Sequence, residues 1–334
     1  MKVNPRAKIA TFFASVALLA GVTACSNDAA DTATDATANS EAEITIVTST
    51  KIWSDVADAV TDDDKVSIEP IIASNDTDPH SYQPSAADMA KVENADILLV
   101  GGGHYDAWLT SALDENTDKV IISGMQVAYT DHDHEGHDHE GHDHTAEDKA
   151  AGDHDHEGHD HEGRDHEGHD HGELNEHIWY DTFIVDAVAH DLADALAEMG
   201  AQADTERIHT QIDEIKELKD KLPAAKVAQV HPLADDILKD TKISDITPKG
   251  YREATLGETE PAAADVKAML DLIDSGELDF LIDAPQTRDQ VSERLVEAAT
   301  AKGVTIVNVY ESPSESEDFF ELYQRTLTEM EMAS

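Results

Sequence analysis

The chain of 334 residues carries 72 Asp and Glu against 23 Lys and Arg, which gives a formal net charge of −49 at pH 7. Nucleic-acid phosphates would repel so acidic a chain, so we expect no nucleic-acid partner and no polybasic association with membranes. The charge favours cations as partners, although acidity also accompanies plain solubility in an extracellular setting.

The first 24 residues have the layout of a secretory signal peptide. Three basic residues precede the apolar run "IATFFASVALLAGV", which is too short for a comfortable membrane span. Small residues then lead to Cys25, the only cysteine, so no intramolecular disulfide is possible. "VTAC" resembles the bacterial lipobox, which implies acylation of Cys25. With the polar, acidic residues 25–42 as a disordered tether, we expect a lipoprotein anchored on the outer face of the cytoplasmic membrane.

Beyond the tether, runs rich in Ile and Val alternate with helical patterns. Strands are predicted over 44–50, 66–72, 95–103 and 119–124, with helices over 52–61, 85–94 and 105–116. Such alternation is typical of βα units that build a parallel sheet. We assign these elements to an N-terminal α/β lobe over 43–203.

A His-rich segment interrupts this lobe at 131–172. It contains "DHDHEGHDHEGHDH" and a second, similar run, and it holds 13 of the 19 histidines. These repeats have no apolar residues to bury, so we expect a disordered loop in the absence of metal. Imidazoles beside carboxylates bind metals. The segment is predicted to be a low-affinity metal collector, reservoir or sensor, with a tolerated acidic insertion as the alternative.

The second half of the chain predicts another set of βα units. Two helical patterns cover 181–199 and 204–222. Strands follow over 226–232, 242–248, 279–285 and 304–310, with helices over 233–241, 263–276, 289–303 and 314–332. The predicted fold class is α/β, with two lobes that each hold a mainly parallel four-stranded sheet flanked by helices. The C-terminal lobe is placed at 223–334, after a long helical passage, and ligands of such folds bind at the carboxyl ends of strands.

Four polar residues are predicted to converge on the face between the lobes. His80 lies in a loop before a helix, and His177 lies between the His-rich segment and the next helix. His231 and Asp283 each lie at the end of an apolar strand, where a buried carboxylate without a partner would be costly. Singly, each residue is more often a cap or a surface group. Together they indicate a metal site.

The other three histidines outside the His-rich segment are expected to play lesser parts. His190 and His209 lie within helical patterns and are predicted to be structural. His104, in "GGGHYDAW", lies at a strand end that faces the same crevice. It either approaches the metal or, as we expect, lies behind the ligands or at the surface.

The motifs "DPHSYQPSAAD", "EHIWYD", "VHP" and "LIDAPQ" occur in the order found in the zinc/manganese substrate-binding lipoproteins of metal ABC importers. The resemblance covers about 43–332. It implies that His80, His177 and His231 are metal ligands, and it maps the acidic ligand or its near neighbour onto Asp283. It also implies two α/β lobes joined by one long rigid helix, which we assign to 204–222.

The resemblance also implies a function. Such a protein, expected to be a monomer, carries zinc or manganese to an ABC permease that is driven by its ATPase. Zinc-type members resemble this chain in having a histidine at the third position, and imidazole-rich sites suit zinc, whereas manganese prefers oxygen. Two departures stand out: Asn175 and Glu176 precede His177 where Asp-Pro is usual, and "PLADDILKD" follows His231 where aromatics are usual.

Two functions other than zinc delivery could use the same residues. Three histidines around a zinc-bound water could form a hydrolytic centre if Asp283 stays outside the coordination sphere. The sequence has no H-E-x-x-H motif and no Ser or Cys nucleophile motif, so we expect no enzyme. A surface zinc buffer or adhesin that never meets a permease is the nearer alternative. Because zinc needs neutral imidazole, affinity is expected to fall as the pH drops through about 6 to 7.

Overall fold

The computed structural model describes most of the chain that follows the predicted tether. The described residues are 44–103, 105–111, 119–128 and 175–334. The predicted signal peptide, Cys25 with its tether, His104 and the His-rich segment lie outside them. Among the described residues, none of the helices is both long enough and apolar enough to cross a bilayer.

The first sheet contains four strands that run parallel in the order β2-β1-β3-β4. They are β1 (Ile44–Thr50), β2 (Val66–Ile72), β3 (Ile97–Val100) and β4 (Val120–Ser123). All four residues of β3 are buried, and its sequence ILLV shows no polar alternation. A parallel strand with helices over both faces has this composition, because neither face reaches water.

The second sheet repeats this arrangement, with all pairs parallel and the order β6-β5-β7-β8. Its strands are β5 (Ala225–Gln229), β6 (Ile243–Asp245), β7 (Phe280–Asp283) and β8 (Thr305–Asn308). In both sheets the strand that begins the unit lies between its two successors. The predicted fold class of two parallel four-stranded sheets flanked by helices is confirmed.

Helices connect and cover the strands. They are α1 (Lys51–Val60), α2 (Ala86–Asn94), α3 (Ala107–Thr110), α4 (Thr182–Glu198), α5 (Glu206–Lys221), α6 (Asp235–Leu238), α7 (Lys249–Leu256), α8 (Ala263–Ser275), α9 (Gln290–Lys302) and α10 (Phe319–Ala333). Residues 124–128 are also helical. Three helices start at capping boxes, with Ser85, Asp289 and Asp318 as caps. These side chains satisfy backbone N–H groups that the first turn leaves without partners.

The structure differs from the sequence prediction around α7. This helix was not predicted, because Pro248 and Gly250 are turn residues and the segment lacks an extended apolar period. Pro248 caps the helix, and Gly250 lets it approach α8 closely, since a Cβ at this position would collide with the Asp265 carboxylate. The helix predicted over 233–241 is instead a 3-10 turn followed by the short α6.

One hydrophobic core joins the two sheets. Ile46 of β1 and Trp53 of α1 belong to the same buried cluster as Phe280 of β7, Val307 of β8 and Phe319 of α10. Helix α5 packs against α1, α4 and α10, and its buried isoleucines contribute to this core. Helix α5, which lies between the two sheets in the sequence, is therefore packed against the core along its apolar face.

Candidate metal centre

Four side chains with metal-binding groups come together, and three of them follow the carboxyl ends of strands. His80 lies in the loop that follows β2, and His177 immediately precedes the 3-10 turn Ile178–Tyr180. His231 lies two residues after β5, and Glu311 lies three residues after β8. The carboxyl ends of parallel strands lie at one edge of a sheet, which places His231 and Glu311 on the same side of the second sheet. His80 and His177 reach them from the first part of the chain.

The four groups are close enough to bind one ion. One ligand atom from each of His80, His177, His231 and Glu311 lies within 4.8 Å of all the others. The Oε1 atom of Glu311 is 3.2 Å from His80 Nε2, 3.7 Å from His177 Nε2 and 3.8 Å from His231 Nε2. Glu311 is fully buried, whereas the side chains of His80 and His231 are each 15% exposed. The centre is therefore buried, with one side open to solvent.

Asp283, the predicted acidic residue, does not belong to this group of four. As the last residue of β7 it is fully buried, and its Oδ2 atom accepts from the Arg288 guanidinium, with Nε at 3.0 Å. Its Oδ1 atom has no hydrogen-bond partner among the described residues. The carboxylate that accompanies the three imidazoles is Glu311, which the sequence analysis did not consider.

Gln286, the last residue of the "LIDAPQ" motif, helps to position Glu311. Its side-chain oxygen accepts hydrogen bonds from the backbone N–H groups of Glu311 at 2.6 Å and Ser312 at 3.2 Å. The Tyr105 hydroxyl donates to Glu311 Oε2 at 3.3 Å. The backbone and the carboxylate of Glu311 are thus held from opposite parts of the chain, which leaves Oε1 directed at the imidazoles.

The orientation of His177 is fixed by a chain of hydrogen bonds that reaches the segment following β5. The Asn175 amide nitrogen donates to the Pro232 carbonyl at 2.6 Å and to Asp235 Oδ2 at 2.8 Å. Its amide oxygen therefore faces His177 Nδ1, at 2.6 Å, and must accept. Neutral His177 then presents the lone pair of Nε2 to the centre, as a metal ligand requires. Asp235 is held in turn by Arg252.

His80 lies between two carboxylates. Its Nδ1 atom is 2.7 Å from Glu258 Oε1, and its Nε2 atom is 3.2 Å from Glu311 Oε1. Burial alone would lower the pKa of His80, but the two carboxylates outweigh it and raise the pKa to about 9. Glu258 is half exposed and has a φ of 50°, an uncommon backbone conformation for a residue other than glycine. Below this pKa the metal-free His80 carries a proton on both ring nitrogens.

The pKa values of His231 and Glu311, the other two shifted groups of the centre, are both lowered, for different reasons. Burial, together with the neighbouring His177, lowers the pKa of His231 to about 3, so this imidazole is neutral at ordinary pH. Burial would raise the pKa of Glu311, but the imidazoles of His177 and His80 hold it well below its usual range. The centre thus offers one ionised carboxylate and neutral imidazole, with a proton on His80 to be displaced.

A cavity of about 440 Å³ opens beside His80 and His231. Its lining includes four acidic residues and, among the described residues, no Lys or Arg. The acidic residues are Asp78, Glu258, Glu260 and Asp289. The approach to the centre is therefore negatively charged.

The sequence could have indicated Glu311 by the same signal that pointed to Asp283. Both carboxylates come at or just after the end of an Ile- and Val-rich strand, in "DFLIDAP" and "VTIVNVYES". Glu258 gave no such signal, because it lies in the polar loop "GETEP" after a helix that was not predicted.

Comparisons with known proteins agree with this architecture. A metal ABC transporter substrate-binding lipoprotein of Lactococcus lactis subsp. lactis (strain IL1403) is 28% identical over 127 residues, which cover 35% of this chain and only 38% of that relative. The periplasmic zinc-binding protein TroA of Treponema pallidum is 14% identical, with a TM-score of 0.61 over 87% of this chain and 99% of that one. A manganese-bound variant of the periplasmic metal-binding protein of Candidatus Liberibacter asiaticus is 15% identical, with a TM-score of 0.57 over 86% and 98% of the two chains.

At such low identity the solved structures establish the fold alone. The family described as "Zinc-uptake complex component A periplasmic" matches residues 46–333, which is most of the chain. The protein therefore belongs to this family of periplasmic zinc-uptake components.

Proposed function

We propose that this protein captures zinc outside the cytoplasmic membrane and delivers it to the permease of a metal ABC importer. The ion is the cargo, held by His80, His177, His231 and Glu311. In this proposal Glu311 takes the role that the sequence analysis gave to Asp283. The observation that carries the proposal is the convergence of three imidazoles and one carboxylate within 4.8 Å in a buried centre.

The donor set supports zinc over manganese as cargo. Three nitrogens and one oxygen can complete the tetrahedral shell that zinc adopts in closed sites. Manganese prefers oxygen donors, of which this centre offers the carboxylate of one residue. A closed set of four protein ligands also leaves no obligatory position for a reactive water, which favours a carrier over a hydrolytic enzyme.

The proposal also covers how the protein is held at the membrane, how metal is collected and how it is released. Acylated Cys25 would tether a monomeric carrier to the membrane through residues 25–42. The His-rich segment at 131–172 would collect or sense metal at lower affinity, because its ligands must be ordered upon binding. A nearby permease would take the ion from the centre. A zinc buffer or adhesin that acts without a permease is the competing function.

The test is a metal titration of the full chain by competition calorimetry, with zinc and then manganese. The variants are His177→Ala, Glu311→Gln and Asp283→Asn. We expect one tight zinc site in the wild type, lost in His177→Ala and weakened at least about tenfold in Glu311→Gln, since a ligand or its charge is removed. Asp283→Asn should keep the tight site, because Asp283 pairs with Arg288.

Four results would count against the proposal. Tight binding that survives His177→Ala would move the zinc site elsewhere, the His-rich segment first. A larger loss in Asp283→Asn than in Glu311→Gln would restore Asp283 as the acidic ligand. Tighter binding of manganese than of zinc in the wild type would change the cargo. Zinc uptake that is equally fast in cells with and without the cognate permease would favour the buffer or adhesin.

A further inference from the structure

We propose that Asp186, His190 and His209 form a second, exchangeable zinc-type metal site on the outer surface where α4 and α5 meet. One ligand atom from each of the three residues lies within 4.8 Å of the others. From sequence, both histidines were predicted to be structural. In the fold they come from two helices and face each other across the helix pair.

The carboxylate lies between the two imidazoles. Asp186 Oδ1 is 3.1 Å from His209 Nε2 and 3.8 Å from His190 Nδ1. The imidazole rings are 5.3 Å apart between centroids and inclined at 38°. Although it is close to His209, the Oδ1 atom is buried and accepts no well-aligned hydrogen bond from a described residue. It therefore keeps a lone pair for a cation.

One of the two ring nitrogens of His190 is engaged by the backbone, so the other is the one available to a metal. Its Nδ1 atom is 2.8 Å from the backbone carbonyl of Asp186, one turn earlier on α4. A carbonyl can only accept, so Nδ1 carries the proton and Nε2 of the neutral ring keeps its lone pair. A metal-binding histidine commonly has its second nitrogen fixed in this way by a carbonyl or carboxylate.

The donors define the class of ion. Two imidazoles and one carboxylate suit zinc better than manganese or calcium, which prefer oxygen. Three protein ligands leave a fourth tetrahedral position to water. The histidine side chains are each 51% exposed, so the bound ion would exchange readily with solution. Glu206 and Asp213, within one turn of His209 on α5, add negative charge to this face.

A simple ion pair between His209 and Asp186 would also bring two of the three groups together. The two explanations differ in what they require of His190. An ion pair across the helices needs only His209 and Asp186, whereas a metal that joins the helices needs both imidazoles. Removal of His190 therefore separates the explanations.

The experiment is hydrogen–deuterium exchange with mass spectrometry on the full chain, with free zinc buffered at increasing levels and with manganese in parallel. The peptides to follow cover 182–198 and 206–221. His190→Gln and His209→Gln remove one ligand each. Thr210→Gln places the same side chain at the next, exposed position of α5 as the control.

Zinc should slow exchange in both helices of the wild type and of Thr210→Gln. At free zinc ten times the dissociation constant, local opening should be about tenfold rarer, because only the closed form binds. This zinc-dependent protection should vanish in both His→Gln variants and should be absent with manganese. Equal protection in wild type and His190→Gln, or no response to zinc in the wild type, would overturn the proposal.

Discussion

At the scale of single residues, the proton on His80 is the feature with the widest consequences. Two carboxylates, Glu311 and Glu258, hold this imidazole in its charged form up to a pKa of about 9. A metal must bind the neutral ring, so the ion competes with a proton at this ligand. From sequence, zinc affinity was expected to fall as the pH drops through about 6 to 7. That range applies to a histidine with an unperturbed pKa and is too low for His80.

We therefore expect the first equivalent of zinc to displace about one proton at pH 7. Below the folded pKa of about 9 the proton is bound, so zinc affinity should rise with pH up to that value, by at most about tenfold per unit. Calorimetry in buffers of different ionisation enthalpy measures the number directly. A heat that does not depend on the buffer at pH 7 would show that His80 is already neutral.

Glu258 is predicted to be responsible for part of the raised pKa of His80. Glu258→Gln keeps the size of the side chain but removes the charge that faces His80 Nδ1 at 2.7 Å. Because Glu258 is half exposed, we expect the pH at which zinc affinity levels off to fall by about one unit. The matched control is Glu260→Gln, on the same cavity. A shift of equal size in both variants would indicate a general field effect rather than this contact.

The residue scale also shows what the sequence could and could not predict. His80, His177 and His231, which the structure brings together, were predicted as ligands because each occurs in a distinctive motif. The prediction named Asp283 rather than Glu311 because both follow apolar strands, and sequence alone does not show that Arg288 pairs with one of them. Glu258 was missed because its contact with His80 joins residues 178 positions apart.

At the scale of elements, strands were predicted better than the ends of helices. Each predicted strand overlaps an observed one, because most of these buried parallel strands lie in segments rich in Ile, Val and Leu. Helix α7 was missed because a proline starts it and Gly250 lies in its first turn. Gly250 is required because α8 packs closely against α7 at this position, and no pattern in the local sequence indicates that contact.

Gly102, just beyond β3, is predicted to be intolerant of a side chain. Its φ is +94°, and a Cβ there would lie 3.0 Å from Met125 Cβ and collide with the Ser123 hydroxyl. Gly102→Ala should lower the free energy of unfolding by about 2–3 kcal/mol, the sum of backbone strain and the clash. Gly200→Ala, at φ +84° with open space around it, should cost only about 1 kcal/mol. Urea denaturation gives both values, and equal losses would show that the clash adds nothing.

At the scale of the whole molecule, the two sheets are not independent. One buried cluster runs from Ile46 in the first sheet to Phe280 and Val307 in the second, with α5 and α10 between them. The hydrogen-bond chain from His177 through Asn175 to Asp235 crosses the same boundary at the metal centre. Wide separation of the lobes would expose this core, so metal exchange must depend on small local movements.

Unfolding should accordingly be a single transition despite the two sheets. All three tryptophans, Trp53, Trp108 and Trp179, precede the second sheet, so their fluorescence reports on the first part of the chain. Far-UV circular dichroism reports on helices throughout. For the metal-free protein in urea the two signals should have the same midpoint, because coincident transitions are the mark of cooperative unfolding. Separate midpoints would show that the lobes unfold independently.

The acidic lining of the cavity beside His80 affects the speed of capture as well as its strength. Four carboxylates with no described Lys or Arg among them draw a divalent cation inward over distances of about 10 Å at 0.1 M salt. Capture should therefore be fastest in dilute media and slower as the ionic strength rises. The same field repels phosphate, citrate and other anions, so the ion is expected to arrive free rather than as an anionic complex. Where free metal is scarce, the rate of binding would then be limited by the diffusion of the ion to the mouth of the cavity.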